Sequence, residues 1–280
     1  MEAYAVKIFI DSARLDEIEK SYSYGIADGV TTNPSLIKKA VEKMQQSGEK
    51  ITMAEYIKKI LLTAKGTPVS LEVTEFTGDK MVEQAKKVFK VFNPVVNNVY
   101  IKIPVNPSFE GETGRDFEGI QAIKALSKAG IPVNCTLIFT PEQALLAAKA
   151  GARIVSPFAG RIDDYIRLQH NIPFGKSDYF PAEGWVHKDE VYEDNGIVSG
   201  IDLVAQIVDI FSIYDIKTEV IAASMRNVRQ VREAALVGAD IATVPFSVIG
   251  ELLVHYKTQE GMKKFTDDIV PEYAALTKGK

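Results

Sequence analysis

Val133–Ala152, VNCTLIFTPEQALLAAKAGA, reads as one strand followed by one helix. Its first seven residues are mostly apolar, β-branched or aromatic, as in a buried strand. Thr140 then offers a side-chain oxygen to the free amides of a helix start, Pro141 suits the first helical position, and Gly151 suits the stop. Asn33 and Pro34 repeat the device at the head of NPSLIKKAVEKM. Strand-like runs recur at Val6–Asp11, Gly29–Asn33, Val69–Val73, Val99–Pro104, Val133–Phe139, Arg153–Phe158, Glu219–Ser224 and Ile241–Phe246, with helix-like stretches between most of them. Such alternation with mostly apolar strands predicts an α/β fold, a closed (β/α)8 TIM barrel, as a single domain over residues 1–280. The alternative, an open doubly wound sheet, lacks its usual glycine-rich phosphate turn after the first strand. Two connections are long: residues 106–118, NPSFEGETGRDFE, after the fourth strand, and residues 163–199, with the one tryptophan, Trp185, after the sixth. In a barrel both would lie on the catalytic face.

Composition narrows the function. Hydrophobic residues at 46% and charged residues at 25% suit an ordinary soluble core and surface. A net charge of −4 opposes nucleic-acid binding, which needs a basic face. No apolar run approaches the roughly 18 residues of a membrane span, and MEAYAVKIFI has no signal-peptide pattern. One cysteine, Cys135, cannot form an internal disulfide, so a cytoplasmic protein is expected. Motifs for zinc, dinucleotides and Walker-type phosphate loops are missing, and His170, His187 and His255 stand far apart in sequence. No metal and no cofactor is expected.

Period two along the strands places an unusual number of polar side chains inside the barrel, at the C-terminal ends. They are Asp11, Thr31, Asn33, Glu72, Lys102, Asn134, Thr136, Ser156 and Ser224. Singly, each has a dull explanation: Asp11 and Asn33 as helix caps, Thr136 and Ser156 as satisfied core hydroxyls, Glu72 and Lys102 on a solvent-facing strand edge. Together they converge on the face that carries the active site in barrels. There Lys102, in VYIKIP, would sit between desolvation, which favours the neutral amine, and the Asp11 and Glu72 carboxylates, which favour the ammonium. A neutral amine attacks carbonyls to form a Schiff base. Arg161 after the sixth strand and Arg226 after the seventh, beside Ser224 and a helix start, suit a phosphate. Surface pairing of Arg161 with Asp163 or Asp164 is the competing reading.

The segments FIDSA, GVTTNPSLI, YIKIP, NCTLIF, VSPFAGRIDDY and AASMRNVRQV resemble the transaldolase family and its fructose-6-phosphate aldolase relatives over most of the chain. The resemblance implies that Lys102 is the Schiff-base lysine and Asp11 the acid/base of carbon–carbon cleavage. It implies that Glu72 and Thr136 handle protons through a water, and that Asn33, Asn134 and Ser156 hold a dihydroxyacetone unit. Arg161, Ser224 and Arg226 would grip the phosphate, with Thr31 and Phe158 completing the substrate-binding set. Simple aldolases of the family carry glutamine, alanine and tyrosine where this chain has Glu72, Ser156 and Phe158, so transfer from a ketose phosphate to an aldose phosphate is implied. The alternatives are an aldolase releasing free dihydroxyacetone, a transaldolase for a sulfonated ketose, and a non-catalytic sugar-phosphate-binding barrel. The expected partners are a small sugar phosphate or sulfonate and further copies of the chain in a homo-oligomer, with neither nucleic acid nor membrane.

Overall fold

The strand–helix unit of Val133–Ala152 forms as its punctuation predicts. Thr140 and Gln143 make a reciprocal capping box at the head of a helix opened by Pro141, and Gly151 closes it with φ 99°. Asn33 likewise accepts from the amide of Leu36. This computed structural model describes residues 6–48, 50–270, 273 and 275–276.

In chain order the strands are β1 (Lys7–Asp11), β2 (Gly29–Thr31), β3 (Val69–Glu72), β4 (Val99–Pro104), β5 (Val133–Ile138), β6 (Ile154–Pro157), β7 (Trp185–His187), β8 (Glu190–Tyr192), β9 (Glu219–Ala222) and β10 (Ile241–Val244). The helices are α1 (Leu15–Ser23), α2 (Pro34–Gln46), α3 (Met53–Thr63), α4 (Gly78–Phe92), α5 (Glu118–Lys128), α6 (Pro141–Ala150), α7 (Ala159–Gln169), α8 (Gly200–Ile213), α9 (Val228–Leu236), α10 (Phe246–Glu251) and α11 (Tyr256–Asp267). Eight strands close into a barrel in the order β1-β10-β9-β6-β5-β4-β3-β2, each pair parallel. All eight strands expected from the sequence are present, so the (β/α)8 barrel stands. No helix among the described residues is long and apolar enough to cross a membrane.

Alternation along the strands separates two apolar layers. One face of each strand packs on the helices and includes Ile10, Val30, Leu71, Ile101, Cys135, Val155 and Ala242. The inner face supplies Phe9, Ile154, Ile221 and Ile241, joined by Tyr100, which plug the barrel beneath the polar mouth, while Phe158 packs on this layer from the mouth side. Gly29 makes room for that plug, because a Cβ there would lie 2.5 Å from the Phe9 ring. Two residues further along the strands, the plug gives way to Asp11, Thr31, Lys102, Ser156 and Thr243.

The connection after β6 differs from expectation. Residues 163–169 continue α7, which leaves residues 170–199 as the connection, folded around the antiparallel hairpin β7–β8. The helical pattern was obscured because the buried face of α7 carries Asp163 and Arg167 beside Ile162 and Ile166. Glu118 opens α5, so the loop expected over residues 106–118 spans 106–117, held by Arg115 on Glu112 (2.7 Å) and the carbonyl of Phe76.

Candidate active site

Strand register sets the centre of the mouth. Glu72, Lys102 and Asn134 are direct neighbours across β3, β4 and β5. Lys102 is buried, with 7% exposure. An ammonium there needs partners. It has two: Nζ lies 3.3 Å from Glu72 Oε2 and donates to the carbonyl of Thr32 at 3.3 Å. Across the mouth, Asp11 Oδ1 accepts from Thr31 Oγ1 at 2.9 Å, and Thr31 shares a 2.5 Å hydrogen bond with Thr243. Burial pushes the Asp11 carboxyl up, while the Lys102 charge and the Thr31 hydroxyl pull it back. Such a carboxyl is suited to taking and returning a proton.

Behind Lys102, Ser156 Oγ donates to Asn134 Oδ1 at 2.7 Å, and Asn134 Nδ2 donates to Ser70 Oγ at 3.1 Å. Thr136 is fully buried, and its hydroxyl has no hydrogen-bond partner among the described residues. Backbone geometry shapes the rim. The β5–β6 register shifts between Cys135 and Ile138, where Leu137 has φ 59°. Ser224 has φ 63° just after β9. Non-glycine residues held in that region cluster at functional sites.

The arginines differ in their setting. Arg226 reaches Asp164 with an Nη2–Oδ2 distance of 2.7 Å, and its Nε is buried with no partner among the described residues. Arg161, which the sequence offered as a partner for Asp163 or Asp164, instead lies over the Phe158 ring, 4.8 Å from its centroid. Its guanidinium makes no ion pair among the described residues. A cavity of about 360 Å³ is lined by Asp11, Thr31, Asn33, Lys102, Ser156, Phe158, Arg161, Ser224 and Arg226. Of the residues singled out in the sequence, Glu72, Asn134 and Thr136 lie outside that lining. Glu72 and Asn134 still connect to it, through Lys102 and Ser156.

One barrel mouth thus brings together a buried lysine, a carboxyl and two guanidiniums. Residues 8–278 match the family Transaldolase/Fructose-6-phosphate aldolase. The chain belongs to this family. A probable transaldolase of Chlorobaculum parvum is 41% identical over 266 residues, covering 94% of this chain and 97% of that one. A probable transaldolase of Thermoplasma volcanium is 39% identical over 263 residues, covering 94% and 95%. One from Bacillus cereus is 39% identical over 263 residues, covering 94% and 97%. The chain is thus an enzyme of the transaldolase and aldolase kind.

This transaldolase-family site also contains groups that the sequence reading missed. Thr243 lines the cavity, and period two from Ile241 would have found it had the eighth strand been included in the polar set. Lys176 lines it too, from the connection 170–199, where no periodicity points to it. Asp163 supports the rim from behind. It accepts from the amide of Gly200 at 2.7 Å and from Gln230 Nε2, while Gln230 Oε1 accepts from the amide of Arg226 at 2.8 Å. Burial pushes the Asp163 carboxyl up to about 7, against the pull of the Gly200 amide and Arg167.

Proposed function

We propose that this enzyme transfers a dihydroxyacetone unit from a ketose phosphate such as fructose 6-phosphate to an aldose phosphate, through a Schiff base on Lys102. The observation that carries the reading is the buried Lys102 ammonium, 3.3 Å from Glu72, in a mouth that also holds Asp11. Lys102 passes a proton to Glu72, its neutral amine attacks C2 of the ketose, and Glu72 returns the proton to the carbinolamine hydroxyl, which leaves as water to give a protonated imine. Glu72 and Thr136 pass protons during that loss. Asp11, as carboxylate, takes the proton of the C4 hydroxyl. The C3–C4 bond breaks, its electrons move into the imine to give an enamine, and the aldose leaves. An incoming aldehyde is then attacked by C3 of the enamine, and Asp11 returns its proton to the new hydroxyl. Water releases the new ketose and restores Lys102.

The remaining roles follow from position. Asn33 spends its side-chain oxygen on the cap of α2, so its amide nitrogen is the group left for the dihydroxyacetone unit, alongside Asn134 and Ser156. Thr31 orients Asp11. Arg161, Ser224 and Arg226 take the phosphate. Phe158, whose ring centroid is 6.0 Å from Lys102 Nζ, has no hydroxyl to orient water for protonating the enamine, which favours transfer over release. Self-association belongs to the same reading. Helix α11 has no buried residue and exposes Met262 and Phe265, three residues apart on one side, an apolar surface suited to a second copy.

The test is borohydride reduction in the presence of fructose 6-phosphate, with peptide mass spectrometry, beside a coupled assay for glyceraldehyde 3-phosphate on adding erythrose 4-phosphate. A three-carbon adduct on Lys102 together with acceptor-dependent turnover is expected. An adduct on another lysine, or none under turnover conditions, overturns the mechanism.

A further inference from the structure

Residues 170–199 form the connection from α7 to α8, well beyond the roughly two to eight residues usual for a helix–helix link. Its first half is firmly built. Arg167, on α7 and 3% exposed, lies against the rings of Phe174 and Phe180 at 5.0 and 4.9 Å, and its Nη2 donates to the carbonyl of Asp178 at 3.0 Å. That contact fixes a tight turn. The amide of Asp178 donates to the carbonyl of Gly175 at 3.0 Å, and the amide of Gly175 donates to Asp178 Oδ2 at 2.7 Å. Helix α9 ties down the far side. Asn227 Nδ2 donates to the carbonyl of Ser177 at 3.3 Å, and Tyr179 donates to Glu233 at 2.6 Å. Lys176 is carried on this turn, and its side chain lines the same cavity as Asp11, Lys102, Arg161 and Arg226. Its charge also helps hold the Asp11 carboxyl down against burial, as expected of a cation facing the site.

We propose that Lys176 is a third cation of the substrate's anion site, and that it tunes the mouth for a dianionic phosphate rather than a singly charged group. The inference rests on the transfer reading above. Its basis is a charge count. Arg226 shares its charge with Asp164, whereas Arg161 and Lys176 make no ion pair among the described residues. Lys102 is balanced by Glu72, and the Asp11 carboxylate in the same cavity offsets one of the two remaining cations, so Lys176 supplies the mouth's one net positive charge. Such a charge pulls harder on a phosphate ester of roughly −1.5 to −2 at neutral pH than on a singly charged group. A sulfonate or carboxylate brings only one negative charge. The pull of a pinned Lys176 on such a group is correspondingly weaker. The long connection thus acts as a specificity element of the site.

The experiment compares acceptors for the intact enzyme and the Lys176→Met and Lys176→Arg variants, with fructose 6-phosphate as donor. Transfer is ping-pong, so kcat/KM for the acceptor reports the second half-reaction alone. The ratio of kcat/KM for erythrose 4-phosphate to that for erythrose, read from the glyceraldehyde 3-phosphate released by the donor, is expected to fall about 10-fold or more in Lys176→Met, through KM, and to recover largely in Lys176→Arg. The preference for erythrose 4-phosphate over its sulfonate analogue should narrow in Lys176→Met as well. An unchanged phosphate-to-neutral ratio, or equal losses on phosphate and sulfonate, overturns the role of Lys176. If the unaltered enzyme neither transfers from fructose 6-phosphate nor traps an imine on Lys102, the transfer reading fails, and this inference with it.

Discussion

Gly160→Ala is the most informative single substitution. Gly160 is buried in the first turn of α7, between Phe158 and Arg161. A Cβ there would lie 2.6 Å from Arg226 Nε and 2.9 Å from Arg226 Cγ, and closer still to the carbonyl oxygen of Ser224. The arginine side chain can swing aside. The carbonyl cannot, because Ser224 has φ 63° and follows a residue bridged to Phe158, with the amide of Ala223 on the carbonyl of Pro157 at 3.0 Å. Either α7 or the end of β9 must therefore move. Overpacking of this kind costs about 1–3 kcal/mol, which at about 2–4 °C per kcal/mol lowers Tm by several degrees. Displacing Arg226 removes a charge-assisted contact of about 1.5–3 kcal/mol, so kcat/KM for phosphorylated acceptors should fall about 10- to 150-fold. Lys102 sits on β4, away from the clash, so dihydroxyacetone should still be trapped there by borohydride. The assay pairs calorimetry with kcat/KM for erythrose 4-phosphate and erythrose, with fructose 6-phosphate as donor. Retention of phosphorylated-acceptor activity within about threefold, or equal losses on both acceptors at unchanged Tm, would refute the assignment of this rim to the phosphate.

Three further outcomes are expected. Because burial raises the Asp11 carboxyl, cleavage should decline as pH falls through that raised value and protonates the base; Asp11→Asn should lose about 100-fold or more in cleavage yet still trap the imine, and equal loss of both steps would show that Asp11 only shapes the site. Phe158→Tyr should raise the release of free dihydroxyacetone from fructose 6-phosphate in the absence of acceptor, measured against transfer; an unchanged partition would contradict the role given to the missing hydroxyl. Asp163, raised to about 7, keeps in the fold a proton that the unfolded chain loses in the ordinary carboxylate range, so its contribution to stability declines as pH rises to about 7. Asp163→Asn should flatten Tm against pH in that window, and an unaltered slope would argue against a protonated Asp163.

Local rules carried the fold. The caps at Asn33 and Thr140 and the stop at Gly151 act over one to four residues, so neighbouring letters specify them. Strand alternation is equally local. It put Asp11, Thr31, Lys102 and Ser156 on the inner face before any partner was known, and chemistry then joined a lysine to carboxylates. The misreading at α7 has the same origin. Its buried face carries Asp163 and Arg167, whose partners Gly200, Gln230 and Asp178 lie 37, 67 and 11 residues away, and a helical pattern counted in apolar residues passes over them.

What only the tertiary structure decided is which of these groups meet. Thr31 and Thr243 pair across 212 residues because β1 joins β2 to β10 at the seam of the barrel. Asp164 chooses Arg226, 62 residues on, over its near neighbour Arg161, whose guanidinium covers Phe158 instead. Lys176 comes to the mouth on a turn fixed by a buried arginine one helix away and by the far side of α9. Helix caps and strand alternation are set by the covalent geometry of a few residues. Charge pairing and the closing of a cavity depend on distances that exist only once eight strands have closed on one another, and no short stretch of the chain contains them.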